Sequence, residues 1–385
     1  MSRLKHLLRL HYGDALAADQ RIDGDVPVFG SNGPVGTHSA SNTKAPVILV
    51  GRKGSFGKVV WSDVAGFCID TAYFVDESSC AGDLRFAFYA LQCLGLDKLS
   101  RDTGVPGLSR EVAHDRSLRV PDSETQSMIA GFLDSETGLI DGLIEKKIRF
   151  IALLKEKILN FSDACVTGRA DRRRVLKNVE IPWAPQIPEH WTVRKGKHLF
   201  EEMARPVTTD DEIITAFRDG QVCLRSKRRT EGYTFAEKEV GYQRILKGDL
   251  VIHTMDAFAG AIGVSEDDGK ATGEYAVCKP RTEEAVPEYY AYLLRCMARR
   301  NYIYVLCPSV RERAPRFRFV RFAPVKLPVP PRAEQIEIVE RIERVTARLK
   351  NLISTTERSI DLLREKRAAL ITAAVTGKID VRAAA

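Results

Sequence analysis

Metal-ligand spacing is missing from this sequence. Its eight cysteines (Cys68, Cys80, Cys93, Cys165, Cys223, Cys278, Cys296 and Cys307) stand far apart, none in a CxxC pair, and no histidine lies within ligand spacing of another. That argues against a zinc site and leaves scattered, buried thiols as the expectation. No apolar run is long enough to span a bilayer. The opening stretch MSRLKHLLRLHYGDAL has a short apolar patch and no small-residue cleavage site, so it does not read as a signal peptide. Cytoplasmic placement, with the thiols reduced, is therefore expected.

Catalytic signatures are missing too. There is no Asn/Asp-Pro-Pro-aromatic motif for base methylation, no GxSxG, no HExxH and no kinase set. Gly51, Gly54 and Gly57 give GxxGxxG, as do Gly30, Gly33 and Gly36, but strand-like or polar residues follow each. Lys58 is followed by Val59 rather than Ser or Thr, so neither is a phosphate loop; both read as hairpin turns. Carboxylates abound without forming a distinctive catalytic pair. The residues argue that this chain carries no chemistry of its own.

What is present is an ordinary globular composition: 385 residues, 44% hydrophobic and 29% charged, with room for two or three domains. Lys+Arg is 59 against 51 Asp+Glu, a net +8. So modest a basic excess is compatible with nucleic-acid binding without requiring it.

The organising feature is an internal repeat at an offset of 209 residues. LRVPDSETQ from Leu118 matches LPVPPRAEQ from Leu327, and LLKEKILNFSDACVTGRAD matches LLREKRAALITAAVTGKID. About 20 of the 56 positions from 118 to 173 are identical to their counterparts, without a gap. Both copies read as a long helix ending at a C-cap glycine, Gly168 and Gly377. Steps of four and three give a stripe Ile129, Leu133, Glu136, Ile140, Leu143, Lys147, Phe150, Leu154, Lys157 and Phe161 in the first copy. In the second, the same phase gives Ile338, Ile342, Val345, Leu349, Leu352, Thr356, Ser359, Leu363, Lys366 and Leu370. Gly131, Gly138 and Gly142 weaken the first helix by about 1 kcal/mol each relative to Ala. Helices of roughly 68 Å at 1.5 Å per residue would outreach either flanking segment. They are expected to pair with each other as an antiparallel coiled coil about a pseudo-twofold.

Before each helix the chain reads as β-rich. VPVFGSNGPVG, APVILVGRKGSFGKVVW and FCIDTAYFV alternate strands with glycine turns, and KGDLVIHTMDAFAGAIGV and GEYAVCKP follow the same plan. The fold class is thus α+β. The expected boundaries are 1–120 for the first β-rich domain, 121–168 for the first helix, 169–189 for a Pro- and charge-rich linker, 190–330 for the second β-rich domain, 331–377 for the second helix and 378–385 for a tail.

Polar and basic residues gather on the turns. Ser31 and Asn32 occupy one turn, and Arg52, Lys53, Ser55 and Lys58 another. Arg225, Ser226, Lys227, Arg228 and Arg229 follow the strand QVCL. His253, Thr254 and Asp256 hold the position equivalent to GRKGS, and Arg311, Arg313, Arg316, Arg318 and Arg321 alternate in part with Phe317 and Phe319. These side-chain types serve phosphate contact and base-edge readout. One such cluster is most simply a solvated face; clusters at equivalent places of a duplicated chain favour DNA.

The tandem order of β-rich domain, long helix ending in VTG, second β-rich domain and second such helix resembles the specificity subunit of type I restriction-modification systems. LLREKRAALITAAVTGKID, IPWAPQIPEHWTV, VPVFGSNGPVG with ILVGRKGSFGKV, and KGDLVIHTMDAFAGAIGV carry the resemblance. It implies that the β-rich segments are target-recognition domains, each reading one half of a bipartite site on double-stranded DNA. The helices would act as a spacer and dock two methyltransferase (modification) subunits, with restriction/translocase subunits completing the complex. S-adenosylmethionine, ATP and Mg would belong to those partners, with no cofactor in this chain. The other classes weighed are a fused DNA methyltransferase or nuclease, against which the absent motifs count, and a coiled-coil protein-binding adaptor.

Overall fold

The computed structural model describes residues 1–99, 106–171, 173–228, 241–307 and 316–383. Arg229, Arg311 and Arg313, named above, lie outside the described residues. The chain divides into two compact units, Met1–Phe150 with Thr355–Ala385, and Ile151–Ser354. Each unit owns one β-rich segment and part of each long helix.

In the first unit the strands are β1 (Ser2–Arg3), β2 (His11–Tyr12), β3 (Val26–Gly30), β4 (Gly33–His38), β5 (Val47–Gly51), β6 (Val59–Ser62), β7 (Phe67–Cys68), β8 (Ala72–Asp76) and β9 (Ser117–Leu118). The helices are α1 (Leu84–Gln92), α2 (Arg110–His114) and the long α3 (Ser123–Val166). The central sheet has the order β2-β8-β5-β6. Its strand β5, VILVG, is buried at every residue, as an unbroken apolar run covered on both faces should be. Asp83 caps α1 by accepting from the Phe86 N–H at 2.8 Å. α1 is tied to α3 where the Tyr89 hydroxyl donates to Asp134 at 2.6 Å.

The second unit holds β10 (Leu176–Asn178), β11 (Gln186–Pro188), β12 (Thr192–Lys195), β13 (Phe200–Met203), β14 (Ile214–Ala216), β15 (Val222–Leu224), β16 (Gln243–Ile245), β17 (Leu250–His253), β18 (Ile262–Val264), β19 (Gly269–Ala271), β20 (Tyr275–Pro280) and β21 (Lys326–Val329). Its helices are α4 (Gly196–Leu199), α5 (Pro287–Arg299), α6 (Tyr302–Leu306), α7 (Phe319–Phe322) and the long α8 (Arg332–Val375). The sheet order β13-β20-β17-β18 repeats that of the first unit.

Both long helices run 44 residues. They end on Gly168 and Gly377, each at φ 73°, a left-handed conformation that glycine adopts without a Cβ penalty. The residue after each glycine bonds back into the last turn, Arg169 N–H to the Ala164 carbonyl at 2.7 Å and Lys378 N–H to Ala373 at 2.8 Å. In the first unit Ile129, Ala130 and Leu133 at the start of α3 share a core with Ile371, Ala374 and Val375 at the end of α8. In the second, Phe161, Cys165 and Val166 at the end of α3 pack with Ile338, Val339 and Ile342 at the start of α8. In both units the two helices run antiparallel.

Two details differ from the sequence reading. The seam of α3 keeps Ile129, Leu133, Ile140 and Leu154 but takes Thr137 and Ile151 in place of Glu136 and Phe150, each one residue later than expected. Leu143 and Phe150 are therefore exposed, and on α8 Ile353 and Ile360 are buried while Leu352 is exposed. Apolar residues on adjacent positions offered two stripes, and packing uses the later one. The stretch 169–189 is no loose tether either. β10 and β11 pair as a hairpin, and Ile181, Trp183, Ala184 and Ile187 are buried in the core of the second unit. Its prolines resemble those of a linker, but large apolar side chains every few residues drive it onto the core.

Candidate nucleic-acid interface

One edge of each unit is built on the same backbone device. The strand β5 ends at Gly51, where the Arg52 N–H donates to the Thr71 carbonyl at 2.8 Å and the Arg52 carbonyl accepts from Leu108 N–H at 2.9 Å. The strand β17 ends at His253, where Thr254 N–H donates to Glu274 at 2.8 Å and the Thr254 carbonyl accepts from Phe317 N–H at 2.9 Å. The same main-chain clamp thus presents different side chains.

In the first unit the sequence-predicted residues converge. A Cβ at Gly51 would lie 2.1 Å from the Ser55 carbonyl oxygen and 2.7 Å from that of Ser31, so glycine lets the two turns touch. The Lys58 ammonium donates to the Asn32 side-chain carbonyl across them. Arg52 donates to the Asp70 carbonyl at 3.0 Å, and Lys53 stands 3.7 Å from the Asp70 carboxylate. Ser55, Asn32, Lys53 and Lys58 are exposed. Ser31, Asn32, Arg52, Lys53, Ser55 and Lys58 form one edge.

The composition of this edge also includes residues that sequence reasoning missed. Tyr12 lies between two guanidinium groups, Arg52 at 4.9 Å and Arg110 at 4.7 Å from its ring centroid. It reaches the edge because β2 pairs with β8, setting Tyr12 against Tyr73. The Tyr73 hydroxyl, with its pKa pushed up to about 12 chiefly by burial, donates to the Leu108 carbonyl. No local motif announces Tyr12, since only the long-range pairing places it.

In the second unit the basic turn is present but its charges are matched by carboxylates. Lys227 donates to Asp267 at 2.5 Å, and Arg228 grips Asp219 with two bonds of 2.7 and 2.9 Å while lying 4.2 Å over Phe217. Ser226 donates to Glu212 at 3.1 Å, and Arg225 donates to the Thr215 hydroxyl at 3.1 Å. The hydrogen bond from Arg228 holds the Asp219 carboxyl below its usual range, and that from Lys227 does the same for Asp267.

The second group, His253, Thr254, Asp256 and Arg316, meets around Tyr275 and Glu274. His253 stacks edge-on against Tyr275 with ring centroids 4.6 Å apart. Burial pushes its pKa down, and its Nδ1 accepts from the Asp256 N–H at 3.2 Å, the role of a neutral imidazole. Asp256 pairs with Arg218 at 3.1 Å, and Arg316 with Glu274 at 3.0 Å. Thr254 does not belong with the exposed set: it is 2% exposed and its hydroxyl donates to Glu274 at 3.2 Å. Arg318 is exposed at the start of α7 and also pulls down the carboxyl of Glu202, which burial pushes up. Tyr275, Arg218 and the exposed pair Phe258 and Tyr304, with rings 6.3 Å apart, were missed. Phe258 follows Asp256 by two residues and was legible in the sequence as an aromatic on the same turn.

Among the described residues no group of three or more His, Cys, Asp or Glu side chains is arranged to hold a metal ion. Nor is any described helix long and apolar enough to cross a membrane.

No family model matches the chain. It is 24% identical over 324 residues to the type I restriction enzyme EcoBI specificity subunit of Escherichia coli, a match covering 78% of this chain and 66% of that protein. It is 23% identical over 358 residues to the type I restriction enzyme MjaVIII specificity subunit of Methanocaldococcus jannaschii, covering 87% of this chain and 79% of that one. The chain thus spans just under two thirds of the first relative and about four fifths of the second. A chain solved in work on complex assembly and conformational transition of the type I R-M system has the same fold. The TM-score is 0.65 at 11% identity, over 98% of this chain and 97% of that chain.

Proposed function

We propose that this chain, similar over most of its length to specificity subunits of type I restriction enzymes, reads a split target on double-stranded DNA, one half-site per unit, for a complex whose chemistry resides in its partners. The observation that carries the reading is the repeated clamp: one backbone scaffold at Arg52 and at Thr254, dressed with two unlike sets of base- and phosphate-contacting side chains. Two non-identical readers give an asymmetric, two-part site. Arg52, Lys53, Ser55, Lys58, Ser31 and Asn32 serve one half. Arg225, Ser226, Lys227, Arg228, His253, Asp256 and Arg316 serve the other. Bidentate arginine contacts to guanine and carboxylate or amide contacts to cytosine or adenine are the vocabulary available.

The long helices carry the partners. Their outer faces leave large apolar side chains in water: Leu139, Leu143, Ile148 and Phe150 on α3 in the first unit, Leu153 and Leu159 on it in the second, and Leu352 and Leu362 on α8. Apolar exposure of that kind on a surface helix marks a protein interface. Two methyltransferase subunits are the proposed occupants, bringing S-adenosylmethionine, with restriction subunits bringing the ATP- and Mg-dependent steps.

The test is co-expression with the methyltransferase subunits of the same system, followed by genome-wide mapping of methylated sites. A bipartite motif with an unread gap supports the reading. Methyl transfer by the purified chain alone would point to a fused enzyme, and DNA affinity indifferent to salt would point to a protein adaptor.

A further inference from the structure

Gln126 and Gln335 hold the same place in the two copies of the repeat, 209 residues apart, and both are buried. Each is the fourth residue of its long helix, α3 or α8. Their neighbours are not preserved: Glu124, Thr125, Ser127 and Met128 of the first copy are Ala333, Glu334, Ile336 and Glu337 in the second. In the first unit the Gln126 side-chain oxygen accepts from the Asp83 N–H at 2.9 Å, and its amide donates to the Pro121 carbonyl at 2.8 Å. In the second the Gln335 oxygen accepts from the Val286 N–H at 3.0 Å, and its amide donates to the carbonyls of Pro330 and Glu284, each at 2.9 Å. Asp83 and Val286 are the N-cap residues of α1 and α5. Pro121 and Pro330 lead into the long helices and are themselves a repeat pair. In each unit one amide thus joins the head of the main helix of the β-rich segment to the head of the long helix.

A second contact lies further along the same helix pairs. Tyr89, six residues past Asp83, donates to Asp134 at 2.6 Å and lies 3.1 Å from the Thr137 hydroxyl. Tyr292, six residues past Val286, stands by Glu343, the repeat counterpart of Asp134; burial pushes its pKa up and Glu343 adds to the rise. Two contacts on each pair fix a direction where one would leave a pivot. An apolar side chain at 126 or 335 would fill the same space and let the helices slide. A buried amide left without its partners is costly, so these bonds hold one geometry. Neither glutamine bonds to a residue of the candidate edges.

On the reading that each unit serves one half-site, we propose that Gln126 and Gln335 are positioning residues: each holds its β-rich segment at one angle on its long helix, and through that angle sets the gap between the half-sites. Side chains at the edges decide which bases are read. The glutamines decide how far apart the two readings fall.

Once the wild-type motif is mapped, the chain assembled with the methyltransferase subunits is titrated with labelled duplexes. These carry both half-sites at the mapped gap, or at a gap one base pair longer or shorter. The wild-type complex is expected to favour the mapped gap. Gln126→Met and Gln335→Met keep the reach of the side chain and remove both ends of the amide bridge. Each should lower that preference about tenfold, the scale of one or two hydrogen bonds, with the bases read in each half unchanged. Ile129→Val and Ile338→Val loosen the same two cores without touching the amides and should leave the preference intact. A wild type indifferent to the gap, a preference unchanged in either methionine variant, an equal loss in the valine variants, or affinity lost alike at every gap overturns the proposal. So does a methionine variant that melts below the assay temperature, because the amide then serves the fold alone. Failure of the DNA reading looks different: the wild-type complex then has no two-part motif, and the gap and any role in setting it fall together.

Discussion

The two candidate edges share a main-chain clamp and differ in what holds their cations. In the first unit Lys58 leans on the amide of Asn32 and Arg52 on a backbone carbonyl and the Tyr12 ring, while Lys53 stands 3.7 Å from the Asp70 carboxylate. In the second, Lys227 and Arg228 are each bound to an aspartate, and Arg218 and Arg316 are likewise paired with carboxylates. Neutral partners leave a cation's full charge acting outward; a carboxylate cancels most of it at a distance. On the proposed function, the first edge would attract phosphate directly. On the same proposal, the second would have to exchange its carboxylates for DNA, which would suppress loose binding and leave those carboxylates to accept from bases.

Releasing the second edge should have the largest effect. Asp219→Asn with Asp267→Asn frees Arg228 and Lys227, and binding to an unrelated duplex should strengthen about tenfold at low salt. Its log–log salt slope should steepen by about two, at roughly 0.9 per added phosphate contact. Asp70→Asn in the first unit should steepen it by one at most. Equal responses in a filter-binding series across salt would erase the contrast.

The long helices differ in a similar spirit. α3 carries Gly131, Gly138 and Gly142, where an added Cβ meets nothing within 4 Å. α8 has Glu340, Ala347 and Asn351 at the matching places. Gly138→Ala and Gly142→Ala should each stabilise the isolated chain by about 1 kcal/mol in urea unfolding. If the same changes weaken assembly with the methyltransferase, the glycines are there for close approach of a partner next to Leu139 and Leu143. A smaller effect is expected from Tyr12→Phe and Tyr12→Ala. The phenylalanine should retain most first-half affinity, and the alanine should lose about 0.5–1 kcal/mol of support for Arg52, leaving the second half untouched.

How far the sequence reaches is visible in particular residues. The repeat was legible because a gapless 209-residue offset preserves Val-Thr-Gly and the stripe together. The seam was misplaced by one residue at alternate positions because Leu143, Phe150 and Leu352 are apolar for an outward surface, and hydrophobicity alone does not say which neighbour is covered. Residues 169–189 looked like a tether because proline signals both linkers and tight hairpins; the buried Ile181 and Ile187 decide between them. At the edges, Arg52, Lys58 and Asn32 were found because they sit on glycine turns. Tyr12 and Tyr275 come from distant strands, and Thr254 turns inward to Glu274, facts of pairing that no local pattern encodes.

The central claim is that each unit reads its own half-site. Its most direct test is the methylome of cells in which the chain carries either Arg52→Ala with Lys53→Ala, or Arg225→Ala with Lys227→Ala and Arg228→Ala, alongside the proposed methyltransferase partner. Each lost base contact costs about 1–3 kcal/mol of discrimination. The account predicts that the first variant relaxes bases in one half of the motif only, and the second variant in the other half only. Relaxation of both halves by either variant, or an unchanged motif in both, would contradict it.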